Sequence, residues 1–339
     1  MPFCLFQDTT LPSKTLYWSH DPDLHNKAIS NAMRRDRFDI IKKCLHFNAT
    51  DTIDKTDKYY KLRPLIAHLQ KKFMEHFIPS QSVSHDEAMV KYFGKHSCKQ
   101  SIRNKPIRFG YKMWCHNTPS GYLQAFDPYQ GKTYRGNENM EYEFGKAAST
   151  VLHFIEGYSD NKKDLPYHFF FDNYFTSVPL IVELRKRGYN GTGTIRSNYL
   201  DNTCPVPSLS IIVKKERGNC SSVSGKIGNH EVNVTRWKDN AVVTVASTIY
   251  DQHPMGKVKR WSKKDNKQVM VPIPQAVQAY NSNMGGTDRM DQNINAYRIG
   301  IRGKKWWLSL FTWMQLFRML GKLLGAEEHL LINCHLGEN

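Results

Sequence analysis

Four residues, His168-Phe169-Phe170-Phe171, run straight into Asp172-Asn173. A short apolar run without alternation fits a strand buried on both faces, the kind found in sheets covered by helices. A carboxylate at the C-terminal end of such a strand stands where open α/β sheets place their ligands. The residues that follow agree. Thr176 or Ser177 can cap a helix, Pro179 suits its first turn and Gly188 its end. Thr192 to Arg196 then reads as another strand. This stretch alone points to a sheet with helices packed on it.

Upstream, Ser84 to Tyr92 reads as a strand carrying Asp86. Tyr111 to Cys115 and Tyr122 to Phe126 read as a hairpin, joined through the turn formers Asn117-Thr118-Pro119-Ser120-Gly121. With a helix from Gly145 to Glu156, the order becomes β-β-β-α-β-α-β, that of a mixed sheet. Before Pro79 the chain reads as helical. Asp21 can cap a short helix running to about Met33, and apolar stripes mark Asp36 to Phe47 and Tyr60 to Phe77. Ser197 to Ile273 is rich in Val, Ile, Thr, Ser and Lys. Within it His230 to Trp237, Ala241 to Tyr250 and Val258 to Val271 read as strands and loops of a β-rich insertion. Pro274 to Asn281 opens a helix. After the turn Met284-Gly285-Gly286, Thr287 can cap one more, with Asp288 in its first turn.

Charge narrows the class of partner. The 339 residues hold 48 Lys and Arg against 31 Asp and Glu, a formal charge of +17. That excess favours nucleic acid or an anionic membrane surface. A membrane span is not expected: the apolar stretch from Trp306 to Gly325 is broken by Gln315, Arg318 and Lys322 and reads as a partly buried amphipathic helix. Met1 to Phe6 lacks the basic flank and apolar stretch of a signal peptide. The seven cysteines are scattered and never spaced Cys-x-x-Cys, so they read as reduced thiols of an intracellular protein, with no structural zinc expected.

Taken singly, Asp86, Asp288 and Asp291 have plain structural readings as turn or capping residues. Asp288 and Asp291, three apart, would share one helix face near its start, where anions are favoured. Asp172, behind three phenylalanines, is the less ordinary one. A fold that collected these carboxylates would hold hard divalent cations, for which short, rigid Asp side chains are suited. Paired cations beside a basic surface suit phosphodiester chemistry. The basic surface has three sources. Lys105, Arg108 and Lys112 follow Asp86; Lys259, Arg260, Lys263 and Lys264 surround Trp261; Arg302, Lys304 and Lys305 precede Trp306-Trp307. Interleaved cations and aromatics can hold phosphates and stack on unpaired bases. Trp306-Trp307 itself reads better as helix core, and the run around Trp261 as a DNA contact.

Five ordered motifs carry a resemblance to piggyBac-type transposases and their host-domesticated derivatives. They are Ser84-His85-Asp86-Glu87-Ala88-Met89-Val90, Asn104-Lys105-Pro106-Ile107-Arg108-Phe109-Gly110-Tyr111-Lys112, Phe171-Asp172-Asn173-Tyr174-Phe175-Thr176-Ser177, Gly193-Thr194-Ile195-Arg196, and Tyr280 to Gln292 followed by Lys304-Lys305-Trp306-Trp307. The likeness runs from about Tyr17 to Met314. It implies an α/β fold: an RNase H-like mixed sheet with helices, formed by 82–196 and 274–297 and interrupted by the β-rich insertion 197–273. It also implies a flanking helical dimerisation and DNA-binding region from 1–81 and 298–339. The family's catalytic aspartates fall on Asp86, Asp172 and Asp288, and its additional acidic metal ligand on Asp291. The implied reaction is Mg²⁺-dependent (two ions, with Mn²⁺ as a substitute) strand cleavage at transposon ends and transfer into TTAA sites. The implied assembly is a homodimer on double-stranded DNA in the nucleus. The family usually closes with a Cys-rich zinc-binding domain, whereas here only Cys334 and His335 lie near the end and the residues from Gln315 leave the pattern. The alternative expectation is therefore a domesticated or truncated DNA-binding protein without turnover.

Overall fold

The computed structural model describes residues 13–49, 54, 56–103, 105–131, 138–201, 203–296 and 305–323. A 3-10 turn, Lys14–Trp18, precedes helices α1 (Lys27–Ala32), α2 (Arg35–Cys44) and α3 (Arg63–His76). Strands β1 (Ser82–Lys91), β2 (Gln100–Ser101), β3 (Phe109–Asn117) and β4 (Leu123–Pro128) follow. Next come α4 (Glu138–Glu156), interrupted at Gly145, then α5 (Asp160–Lys163), β5 (His168–Phe171), α6 (Val178–Lys186) and β6 (Asn190–Thr194). The remainder is α7 (Leu209–Val213), β7 (Cys220–Ile227), β8 (His230–Lys238), β9 (Val242–Ser247), β10 (Gly256–Ser262), β11 (Lys267–Ile273), α8 (Gln275–Asn283), α9 (Gly286–Ala296) and α10 (Trp307–Leu323).

Among the described residues nine strands form one mixed sheet in the order β2-β3-β1-β5-β6-β9-β8-β7, with β4 also on β3. β1, β5 and β6 are parallel neighbours, and β1, β3 and β4 an antiparallel meander. The strands read as an insertion are not set apart from this sheet. β9 pairs antiparallel with β6, with Thr192 opposite Ser247, and β8 and β7 continue outward. Only β10 and β11 stand off, as a two-stranded ribbon. β7 escaped the sequence reading because Cys220-Ser221-Ser222-Val223-Ser224-Gly225-Lys226-Ile227 has few β-formers; it is the last strand on its side, with no fully buried residue.

The strand period of two explains the layering. Phe169 and Phe171 point to one face, where they meet Val151, Leu152 and Ile155 of α4 and Leu180, Ile181 and Leu184 of α6. Alternate residues of β1 and β3, such as Ala88, Val90, Tyr111 and Met113, point to the other face. There α3, α9 and α10 bring Leu65, Leu69, Phe73, Met290, Ile294 and Trp313. The run around Trp313 forms the expected helix, but its described part is buried rather than amphipathic. Trp307, Leu308, Leu310, Phe311, Trp313, Met314, Leu316 and Phe317 all lose solvent. No helix among the described residues is long and apolar enough to cross a membrane.

Several helix ends differ from their expected positions. α1 is capped by Asn26, whose side chain accepts from the Ile29 N–H, while the Asp21 carboxylate accepts from the Asp23 N–H in a preceding turn. Ser177 caps α6, as its sequence indicated, accepting from Leu180 N–H, and Gly188 leaves that helix with φ 85°. Thr287 is not a cap: it lies inside α9, buried, and its hydroxyl donates to Asn117 Oδ1 at 2.9 Å.

Candidate metal centre

The parallel ladder between β1 and β5 pairs Ser82 with His168 and ends at His85 opposite Phe171. Asp86 and Asp172 are therefore the next residues on two neighbouring strands, at the level where their pairing stops. Adjacent strands lie about 4.8 Å apart. Beyond this point β1 continues against β3 alone, while the chain after β5 turns away into α6. Asp172 Oδ1 accepts from the Tyr174 N–H at 2.8 Å, and its carbonyl accepts from Phe175 N–H and Thr176 N–H. Gly193 of β6 permits that turn, since a Cβ there would stand 2.2 Å from Thr176 Oγ1 and 2.6 Å from the Phe171 ring.

One oxygen from each of Asp86, Glu87 and Asp172 lies within 4.8 Å of the others. Strand alternation sends Asp86 and Glu87 to opposite faces. With β5 gone, both can reach the open edge of β1, and they converge there with Asp172. Burial, reinforced by the charges of Glu87 and Asp172, pushes the Asp86 carboxyl up to about 7. Burial likewise raises Asp172, with Glu87 adding to it and the Tyr174 N–H and Lys105 opposing. Asp86 and Asp172, both raised and crowded together, are poised to exchange a proton for a cation. All the donors are oxygens, the set that hard divalent ions prefer.

A consequence is measurable. A carboxyl that holds its proton more tightly when folded loses stability as pH rises, from about 4, where the unfolded acid ionises, to about 7. Without divalent cations, Asp86→Asn should gain on the wild type across that window by on the order of 3 kcal/mol in urea unfolding. Added Mg²⁺ should erase most of the gain.

Two lysines border the cluster. Lys105 Nζ is 3.6 Å from Glu87 Oε1 and Lys112 Nζ is 3.8 Å from Oε2. Burial alone would lower the Lys105 ammonium, but Glu87, Asp86 and Asp288 together raise it. For Lys112 burial prevails and lowers it. Its Nζ sits 4.1 Å from the Trp114 ring centroid and 4.4 Å from that of Tyr174. Tyr280 of α8 closes another side. Its phenol is raised by burial and then by Asp172, Asp86 and Asp288, and it accepts a long bond, 3.5 Å, from Thr194 Oγ1.

Asp288 comes to the same end of the sheet but stands outside the 4.8 Å group, exposed in the first turn of α9. Its charge is felt by both Lys105 and Tyr280. Asp291, one turn on and half-buried, acts on Cys115 of β3. The position of α9 rests on close approach. A Cβ on Gly286 would stand 2.3 Å from the Thr118 carbonyl oxygen and 2.4 Å from Ser84 Oγ. Arg289 Nη1 also donates to the Pro119 carbonyl. Gly286→Ala should therefore cost about 1–3 kcal/mol in thermal or urea unfolding and move Asp288 away from Lys105.

Of the eight described cations read as DNA contacts, half stand open. Lys112 is buried beneath Glu87. Lys305 donates to the carbonyls of Lys42 and Lys43, both at 3.0 Å, at the C-terminal end of α2, where a cation offsets the helix dipole. Arg260 pairs with Asp239 at 2.9 Å. Arg108, Lys259, Lys263 and Lys264 are outward-facing, except that Arg108 also lies over the Phe109 ring at 5.1 Å. Arg302 and Lys304 lie outside the described residues. Glu87, absent from the acids that the sequence singles out, pairs with both lysines; the adjacent Asp-Glu pair is the signal that points to it.

A family model described as Transposase IS4 matches residues 4–317. The chain is 46% identical to human PiggyBac transposable element-derived protein 3 over 303 residues, 88% of this chain and 49% of that protein. It is 36% identical to human PiggyBac transposable element-derived protein 2 over 304 residues, 89% of this chain and 50% of that one. It thus spans about half the length of the curated relatives it matches. Among solved structures it is similar to a piggyBac transposase in a synaptic complex with hairpin DNA. The TM-score is 0.67 at 20% identity, covering 93% of this chain and 63% of that one. The likeness shows the fold, and the RNase H-like mixed sheet implied by the resemblance is the one found.

Proposed function

Since the chain belongs to the piggyBac-type Transposase IS4 family, we propose that it cuts and joins DNA strands at transposon ends and TTAA targets. On this reading it works with Mg²⁺ or Mn²⁺, as a homodimer on DNA in the nucleus. The observation that carries the reading is the convergence of Asp86, Glu87 and Asp172 at the open edge of β1. Asp86 and Asp172 would hold cations from neighbouring strands, with Asp288 and Asp291 reaching in from α9 once the negative charge is neutralised. Bound there, a pair of divalent ions supplies an activated attacking oxygen and neutralises the leaving one. The protein's own part is positioning. The Tyr174 N–H fixes the Asp172 carboxylate, Lys112 fixes Glu87 from below, and Lys105 presents an ammonium to an incoming phosphate.

The test is hairpin formation on a nicked duplex ending in TTAA. Cleavage that requires Mg²⁺ and stops with a chelator is the expected result. Product formation indifferent to chelator would remove the metal centre from the account. A second reading, DNA binding without turnover, is favoured by Asp288 standing outside the tight cluster. It predicts no product with any divalent ion while binding still falls with salt, at a slope of about −0.9 per phosphate contacted.

A further inference from the structure

We propose that the outer face of the β10–β11 ribbon is a stacking platform for an unpaired DNA base, with Trp261 as the plate and Lys257 and Lys259 as its phosphate contacts. The proposal rests on the reading that the chain handles DNA, and it specifies which state of the DNA one surface takes.

The ribbon sorts its side chains by alternation. Val258, Val269 and Val271 turn inward, onto a small core with Trp237 and Ile273. Lys257, Lys259 and Trp261 turn outward on β10, and Met270 of β11, paired with Lys259, joins them. Trp261 and Met270 are each 53% exposed. Among the described residues Lys257, Lys259, Lys263 and Lys264 have no ion-pair partner, and Trp261 has no ring partner.

The backbone that carries this indole is held in place. Asp239 takes Arg217 Nε at 2.6 Å on one oxygen and Arg260 Nε at 2.9 Å on the other. Arg217 Nη1 also donates to the Trp261 carbonyl at 3.0 Å, and Trp237 Nε1 donates to the Pro272 carbonyl at 2.8 Å. The backbone under Trp261 is thus clamped to β8 and to the loops beside it, while about half of the side chain stays open to solvent. A large half-exposed ring on a clamped backbone, rimmed by lysines without ion-pair partners among the described residues, fits a flat apolar partner that carries negative charge. In a duplex the base faces are stacked on one another. An unpaired base offers a free π-face beside its own phosphates, and stacking of this kind tolerates any sequence.

The experiment compares wild type, Trp261→Ala and Trp261→Phe on a labelled single-stranded oligonucleotide and on the blunt duplex of the same sequence, at one salt concentration. Trp261→Ala should weaken single-strand binding roughly 5- to 150-fold and change duplex binding by less than about twofold. Trp261→Phe should recover most of the loss. Trp261→Phe should melt close to wild type, since about half of the ring is exposed and a phenyl ring keeps most of the covered part. Equal effects on the two DNA forms, or none on either, would overturn the platform. A change in sedimentation with Trp261→Ala in the absence of DNA would also overturn it, assigning the face to a second copy of the chain. The enzymatic reading fails separately. If no divalent ion supports cleavage but Trp261→Ala still discriminates single strand from duplex, the platform stands and the metal-centre chemistry falls.

Discussion

Replacing Asp172 with alanine should reduce Mg²⁺-dependent strand cleavage by about a thousandfold or more while leaving the protein as stable as before. The activity loss follows from taking one oxygen donor out of a site whose cations are worth several kcal/mol to the transition state. The stability result is the more diagnostic half. Asp172 sits among like charges and helps to push Asp86 up to about 7. Removing it relieves repulsion, which offsets the loss of its bond to the Tyr174 N–H, a bond worth about 1 kcal/mol. Asp172→Asn separates the two effects, because the amide oxygen can still accept from Tyr174 while the charge is gone. It should match the alanine variant in lost cleavage and exceed the wild type in urea midpoint. A variant that lost cleavage and unfolded early would make Asp172 a structural residue.

Trp313→Ala should cost about 3–5 kcal/mol and move the whole unfolding transition. Trp313 is 2% exposed and meets Phe126 of β4 and Phe317 of its own helix edge-on, at 5.5 and 4.6 Å. It belongs to the same apolar core as β1, β3 and α3. Helices α3 and α10, which flank the sheet-forming segments in sequence, are therefore built into one face of the sheet. Its indole Nε1 is buried with no hydrogen-bond partner among the described residues. Trp313→Phe should cost less than about 2 kcal/mol, since deleting an unsatisfied N–H offsets part of the lost volume. Denaturant unfolding followed by far-ultraviolet dichroism should show a single transition for each variant. An early, separate transition of helical signal would mean that α10 is not integral to the core.

Much of the frame was legible in the sequence because it depends on local pattern. His168 to Phe171 announced β5, Ser177 and Gly188 bracketed α6, and residues 117–121 announced the hairpin. The meeting of Asp86 with Asp172 was not legible from local pattern, because it depends on the register of a parallel pair formed between distant segments. The resemblance supplied that expectation instead. Glu87 was passed over for a physical reason. Alternation puts it on the face opposite Asp86, and only the early departure of β5 lets both reach one edge. Lys112 and Lys305 were read as phosphate contacts because a lysine's sequence neighbours do not reveal where its long stem is buried. Here one ammonium lies under Glu87 and the other caps α2. Thr287 looked like a cap because its position before Asp288 suits one. Asn117, far away in sequence, claimed its hydroxyl.

The most direct test of the metal centre is a crystal grown with Mn²⁺ and measured at the manganese absorption edge. The expected result is an anomalous peak between Asp86 and Asp172, with carboxylate oxygens of both at about 2.0–2.2 Å. Manganese bound elsewhere, with the Asp86–Asp172 edge empty under conditions that support cleavage, would contradict it.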